Sequence, residues 1–201
     1  MLSAAEILHG LTGVWRIVMR DPEARQHFNI SLDGFYRSFW ALAISVPVVF
    51  FSTTSLWRLA REMDPTDDTD FASFAVVQLG GTVFYWALYL AAMVLVARQL
   101  KLGAHYTAYV VTFNWGALFT SVLFALPLFL YSLGIAGARG SMVLTLPALG
   151  ILAWYRWRIA REVLGAAPSA TVAILILDFT LGVILDQGLA WIMYSGGNGA
   201  A

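Results

Sequence analysis

The segment 174–194, ILILDFTLGVILDQGLAWIMY, has the length and composition of a membrane-spanning helix, yet it contains Asp178 and Asp186. A span needs about 20 mostly apolar residues, and this stretch belongs to one predicted over 169–194. At about 1.5 Å per residue, Asp178 lies roughly 13 Å from the start of that helix, near the middle of a ~30 Å hydrocarbon core. Asp186 lies ~12 Å further on and reaches the far interface. A central aspartate is disfavoured by about 2.5–3.5 kcal/mol unless protonation or a partner relieves it. Asp178, Gly182, Asp186 and Ala190 recur every fourth residue and form one small, polar stripe expected to face protein rather than lipid.

The whole chain agrees with a membrane setting. Of its 201 residues 60% are hydrophobic and 12% charged, against about 45–50% and about 25% in an ordinary soluble domain. The net charge is zero, with Lys101 the one lysine, so no basic field exists to attract nucleic acid. The absence of cysteine excludes disulfides, thiol nucleophiles and thiolate metal sites. His9, His27 and His105 stand singly, without a metal-ligand spacing. No GxSxG, phosphate-binding loop or GxGxxG is present. The expectation is a protein without enzymatic activity, metal or cofactor.

The predicted fold is all-α: five transmembrane helices over about 36–57, 71–97, 106–133, 142–164 and 169–194. Residues 1–35 form a cytoplasmic-side segment with an amphipathic helix lying at the interface. Its apolar residues Ile7, Leu8, Leu11, Val14, Trp15 and Val18 keep helical spacing, and Asp21-Pro22 ends it. Ser31 or Asp33 should cap the next helix. Pro47, Pro127 and Pro147 are expected to kink their spans without ending them, and 195–201 to be a flexible tail.

With the N-terminus inside, nine Lys and Arg residues fall on inner segments (Arg16, Arg20, Arg25, Arg37, Arg98, Lys101, Arg156, Arg158, Arg161) and three on outer ones (Arg58, Arg61, Arg139). That bias predicts a cytoplasmic N-terminus and an outside C-terminus. Segment 97–110, ARQLKLGAHYTAYV, echoes 160–172, AREVLGAAPSATV. A parallel repeat or chance similarity would each produce it.

Residues at matching depth give candidate clusters. Asn114 and Thr82 come level with Asp178, the latter just after Gly80-Gly81, which allows close helix approach. Gln78 comes level with Asp186 and Gln187. One reading makes Asp178 a proton or cation relay. The other makes it interhelical glue, worth about 0.6 kcal/mol per hydrogen bond. At the inner face Trp154, Trp157, Arg156, Arg158 and Arg161 form either a contact for anionic lipids or a partner, or an ordinary aromatic and arginine belt.

The segment 32–44, LDGFYRSFWALAI, resembles the Asp-Leu-Tyr-Gly-Pro-Phe-Trp motif that opens the first span of Yip1-domain membrane proteins, through Asp33, Gly34, Phe39 and Trp40. The order differs, and the proline has no counterpart. Segment 161–176, REVLGAAPSATVAILI, is similar to the start of that family's last helix. The resemblance covers roughly 30–194 and implies a non-enzymatic organiser of membranes or partner proteins. A small transporter or proton-coupled permease using Asp178, and an accessory subunit of a larger membrane complex, are the alternatives. The bilayer is the expected partner, with anionic lipids and a membrane or cytoplasmic protein beside it. The excess of arginine over lysine points to a bacterial inner membrane.

Overall fold

The computed structural model describes residues 3–66 and 68–197, and no strand occurs among them. Seven α-helices follow in order: α1 Ala4–Val18, α2 Leu32–Ser38, α3 Trp40–Met63, α4 Phe71–Gln99, α5 Gly103–Ser132, α6 Ala138–Arg158 and α7 Pro168–Gly197. A short 3-10 turn, Ala24–His27, links α1 to α2, and a π turn, Ile159–Val163, follows α6.

The starts of α1, α2 and α4 are fixed by side chains that satisfy otherwise unpaired backbone N–H groups. Ser3 Oγ accepts from Glu6 N at 3.1 Å, and Ser31 Oγ accepts from Gly34 N at 3.1 Å. Asp70 Oδ1 accepts from the N–H groups of Ala72 (2.8 Å) and Ser73 (3.0 Å) to open α4. Of the two capping candidates before α2, Ser31 is therefore the one used.

Among the described residues, four helical stretches are long and apolar enough to cross a membrane: Leu32–Met63, Phe71–Gln99, Gly103–Ser132 and Pro168–Met193. The protein is a multi-pass membrane protein of four such helices, not five. The stretch that fails is the predicted fourth span, 142–164, which corresponds to α6 and the π turn. Arg139 sits at one end of α6 and Arg156 and Arg158 at the other, leaving too short an apolar run between them. The predicted tail also begins later, because α7 continues to Gly197. Residues 198–201 lie outside the described residues.

α5 is the central helix. α1, α2, α3, α4 and α6 all pack on it, while α7 packs on α4 and α6. Every residue of α5 from Ala108 to Gly116 is buried. Around this run lie Tyr89, Met93 and Ala97 of α4, Tyr155 of α6, and Ile159, Ala160, Val163 and Leu164 of the π turn and its end. The core therefore sits at one end of the bundle, here termed the α1 end, where the α4–α5 and α6–α7 connections also lie. α1 closes that end with Val14 and Ile17 buried, while Leu8, Trp15 and Met19 are exposed.

Both segments of the internal echo end a helix with a residue in the left-handed region: Lys101 (φ 58) after α4 and Gly165 (φ 79) after α6. In each, an alanine carbonyl takes the closing bond, Ala97 from Leu102 N at 2.8 Å and Ala160 from Ala166 N at 2.9 Å.

Candidate functional site

Asp178 is buried, and two residues from other helices engage it. The Tyr85 hydroxyl of α4 donates to its Oδ1. Arg156 of α6 brings Nε to 3.5 Å from its Oδ2, and each side chain of the pair is only 10% exposed. That separation makes an ion pair but not a directed hydrogen bond, and Arg156 Nε has no hydrogen-bond partner among the described residues. The charge pair relieves both members of the full penalty of isolated burial.

The cation is also held from below. The Arg156 guanidinium lies 3.9 Å from the ring centroid of Phe113 and 5.5 Å from that of Tyr89. Tyr89 stacks on Phe113 at 5.0 Å, and its hydroxyl pairs with that of Tyr109 at 2.7 Å. Tyr155, the neighbour of Arg156, donates to the Thr112 carbonyl at 3.1 Å. Its ring lies against Gly116, where a Cβ would come within 2.3 Å of the Tyr155 hydroxyl. The glycine is what lets α5 and α6 approach closely enough to set Arg156 inward.

The cluster expected around Asp178 does not assemble as Asp178, Asn114 and Thr82. Asn114 belongs to a separate network, accepting from Trp86 Nε1 at 3.1 Å and donating to Ser38 Oγ at 2.9 Å. Thr82 donates to the Gln78 carbonyl of its own helix at 2.8 Å. It does share a cavity wall with Arg156, Tyr85 and Gln78.

Farther from the α1 end, Gln78 and Asp186 line one groove with Gly81 and Gly182. Gln187 lines the adjoining one with Asp178 and Asp186. The stripe on α7 does not face protein along its length, since Asp186 is exposed. Of the glycine pair, Gly81 meets Leu189 of α7, while Gly80 has open space.

The arginines of 156–161 separate in the same way. Successive residues of a helix are turned by ~100°, so Arg156 and Arg158 point about 200° apart. Arg158 pairs with Glu162 and lies 5.6 Å from the Trp154 ring, whose face also takes Arg20 of the α1–α2 connection at 4.5 Å. Arg161 donates to the Ala166 carbonyl. Trp157 is half-buried. Arg156 thus serves the interior, and Arg158 and Arg161 serve the α1 end. Sequence reasoning missed Tyr85 entirely and assigned Arg156 to the wrong face. The helical phase between positions 156 and 158 was the signal available.

Two cavities adjoin Arg156 and share Val49, Thr82, Tyr85, Thr120 and Ser121 in their walls. One, of about 520 Å³, is lined further by Ser52, Gln78 and Thr145. The other, of about 430 Å³, is lined by Leu42, Val46, Phe50, Val83 and Trp86. At the α1 end a third cavity of about 550 Å³ contains Glu6, His9 and His27. Its two histidine rings lie 6.2 Å apart, and no group of three metal-ligating side chains occurs among the described residues.

The fold and this charged centre define a multi-pass membrane protein with a buried Arg–Asp pair between α6 and α7. No family model, no curated protein and no solved structure matches the chain.

Proposed function

We propose that this chain is a non-enzymatic membrane protein that organises lipids or partner proteins by contact, and that Asp178 locks helices together rather than relaying protons. The observation that carries this reading is the engagement of Asp178 by Arg156 and Tyr85 from two other helices. A relay carboxylate must release its proton to a succession of partners. Here the acceptor already has a fixed cation and a fixed donor, an arrangement suited to holding α4, α6 and α7 in register.

The resemblance to Yip1-domain proteins supports the organiser role. α6 returns the chain to the α1 end, where Arg20 meets Trp154 and Arg25 meets Glu162, and this gathering of arginines supports a cytoplasmic N-terminus; the excess of arginine over lysine supports a bacterial inner membrane. In that setting α1 lies along the inner interface with Leu8, Trp15 and Met19 turned to lipid. The small-permease alternative draws on a different feature, the cavities beside Arg156.

Proton flux into proteoliposomes under an imposed gradient, for wild type and Asp178→Asn, separates a lock from a relay. The lock predicts no proton flux in either protein and a lower unfolding temperature for the variant. Flux in the wild type that the variant lacks, at equal stability, would overturn it.

A further inference from the structure

We propose that the two cavities adjoining Arg156 form one binding site for an amphiphilic organic anion: a carboxylate or phosphate monoester carrying a hydrocarbon tail. The inference goes beyond the organiser reading and does not depend on it.

Arg156 is the reason for an anion. Its side chain is nine-tenths buried, its Nε has no hydrogen-bond partner, and among the described residues its guanidinium makes no hydrogen bond at all. A guanidinium carries five N–H donors; here, among the described residues, the Nε donor is buried without an acceptor, which is unfavourable, and the side chain lines both cavities. Asp178 neutralises the charge from the Nε side at 3.5 Å, and Phe113 holds the plane from below. The cation is therefore pre-positioned with donors to spare, in the planar form that matches a carboxylate or phosphate edge.

The walls specify the rest of the ligand. In the 520 Å³ cavity, the hydroxyls of Thr53, Thr82, Thr120 and Thr145 donate back to carbonyls of their own helices. Ser52, Ser121 and Gln78 make no such bond and keep donors for a polar head. The 430 Å³ cavity offers aliphatic and aromatic side chains beyond Arg156, which suit a tail. Both volumes fall within the ~300–1,000 Å³ typical of small-molecule sites. A bare inorganic anion would leave the apolar chamber idle. A neutral hydrocarbon would leave Arg156 without a hydrogen-bond acceptor.

The test is native mass spectrometry of the full chain released from a nonionic detergent, titrated with dodecyl phosphate, laurate, dodecanol and inorganic phosphate. A single adduct with dodecyl phosphate or laurate is expected, not displaced by dodecanol, and weakened about tenfold or more in Arg156→Gln. Ser121→Leu, which fills the wall shared by the chambers and leaves the ion pair intact, should abolish the adduct, and it decides the matter where Arg156→Gln fails to fold. Equal binding of dodecanol would overturn the anion. Equal binding of inorganic phosphate would make the ligand a soluble ion and overturn the amphiphile. Absence of any adduct with folded wild type, or unimpaired binding by Ser121→Leu, would overturn the site.

Discussion

Arg156 and Asp178 face each other across the α6–α7 contact at 3.5 Å, each with 10% of its side chain exposed. Removing one member leaves the other charged and buried, which costs about 3–5 kcal/mol, whereas replacing both by apolar residues of similar volume is close to neutral or stabilising. Asp178→Asn should therefore lower thermal stability markedly, and Arg156→Met combined with Asp178→Leu should recover most of it. Unfolding curves of the two singles and the double in one detergent check this. Additive losses in the double variant would show that the charges act independently.

Tyr85 contributes only its hydroxyl to this centre, since its ring already stacks on Tyr89 at 6.1 Å. Tyr85→Phe keeps the ring and removes a hydrogen bond to a charged acceptor, a loss of about 1.5–3 kcal/mol. The same substitution in an Asp178→Asn background should have a clearly smaller effect. A double-mutant cycle on unfolding temperature measures that coupling.

Gly116 is where α5 meets the Tyr155 ring. Gly116→Ala should destabilise the bundle by about 1–3 kcal/mol through overpacking. Shortening the ring by Tyr155→Leu in the same chain should relieve part of that loss. A Gly116→Ala protein as stable as wild type would mean that α6 can retreat, and Arg156 with it.

Outside the bilayer, the hydrogen bond from Ser73 Oγ leads a set of bonds, with the N–H groups of Ser73 and Ala72, that holds the Asp70 carboxyl below its ordinary range. A carboxylate with a depressed folded-state pKa contributes stability that is present above the unfolded value and lost as pH falls through the folded one. Acidification below the usual aspartate range should therefore fray the start of α4. Asp70→Ala should produce the same fraying at neutral pH, read as faster amide exchange at Ala72 and Ser73. Unchanged exchange there would remove Asp70 from its capping role.

Helix type and approximate bounds were legible because apolar runs of span length and side-chain caps act within a few residues of chain. Asp70 and Ser31 cap helices through bonds to amides two or three positions away. The number of spans was misread at α6, where apolar residues in the middle outweighed three arginines at the ends. The candidate site was legible only in its most improbable member. Asp178 stands out because charge in a hydrocarbon setting is expensive wherever its partners are.

From the sequence alone came an all-α membrane protein with a buried carboxylate in its last helix, since hydropathy, periodicity and charge are properties of neighbouring residues. The identity of that carboxylate's partners required the folded chain. Tyr85 and Arg156 lie 93 and 22 positions from Asp178, and their meeting depends on how α4, α6 and α7 rotate about their own axes. That rotation is set by packing, with Tyr155 against Gly116 on one side of α6 and Arg156 against Phe113 on another. Asn114 and Thr82 sit at a comparable depth but turn elsewhere, because depth follows from counting residues while facing follows from the contacts of the whole bundle.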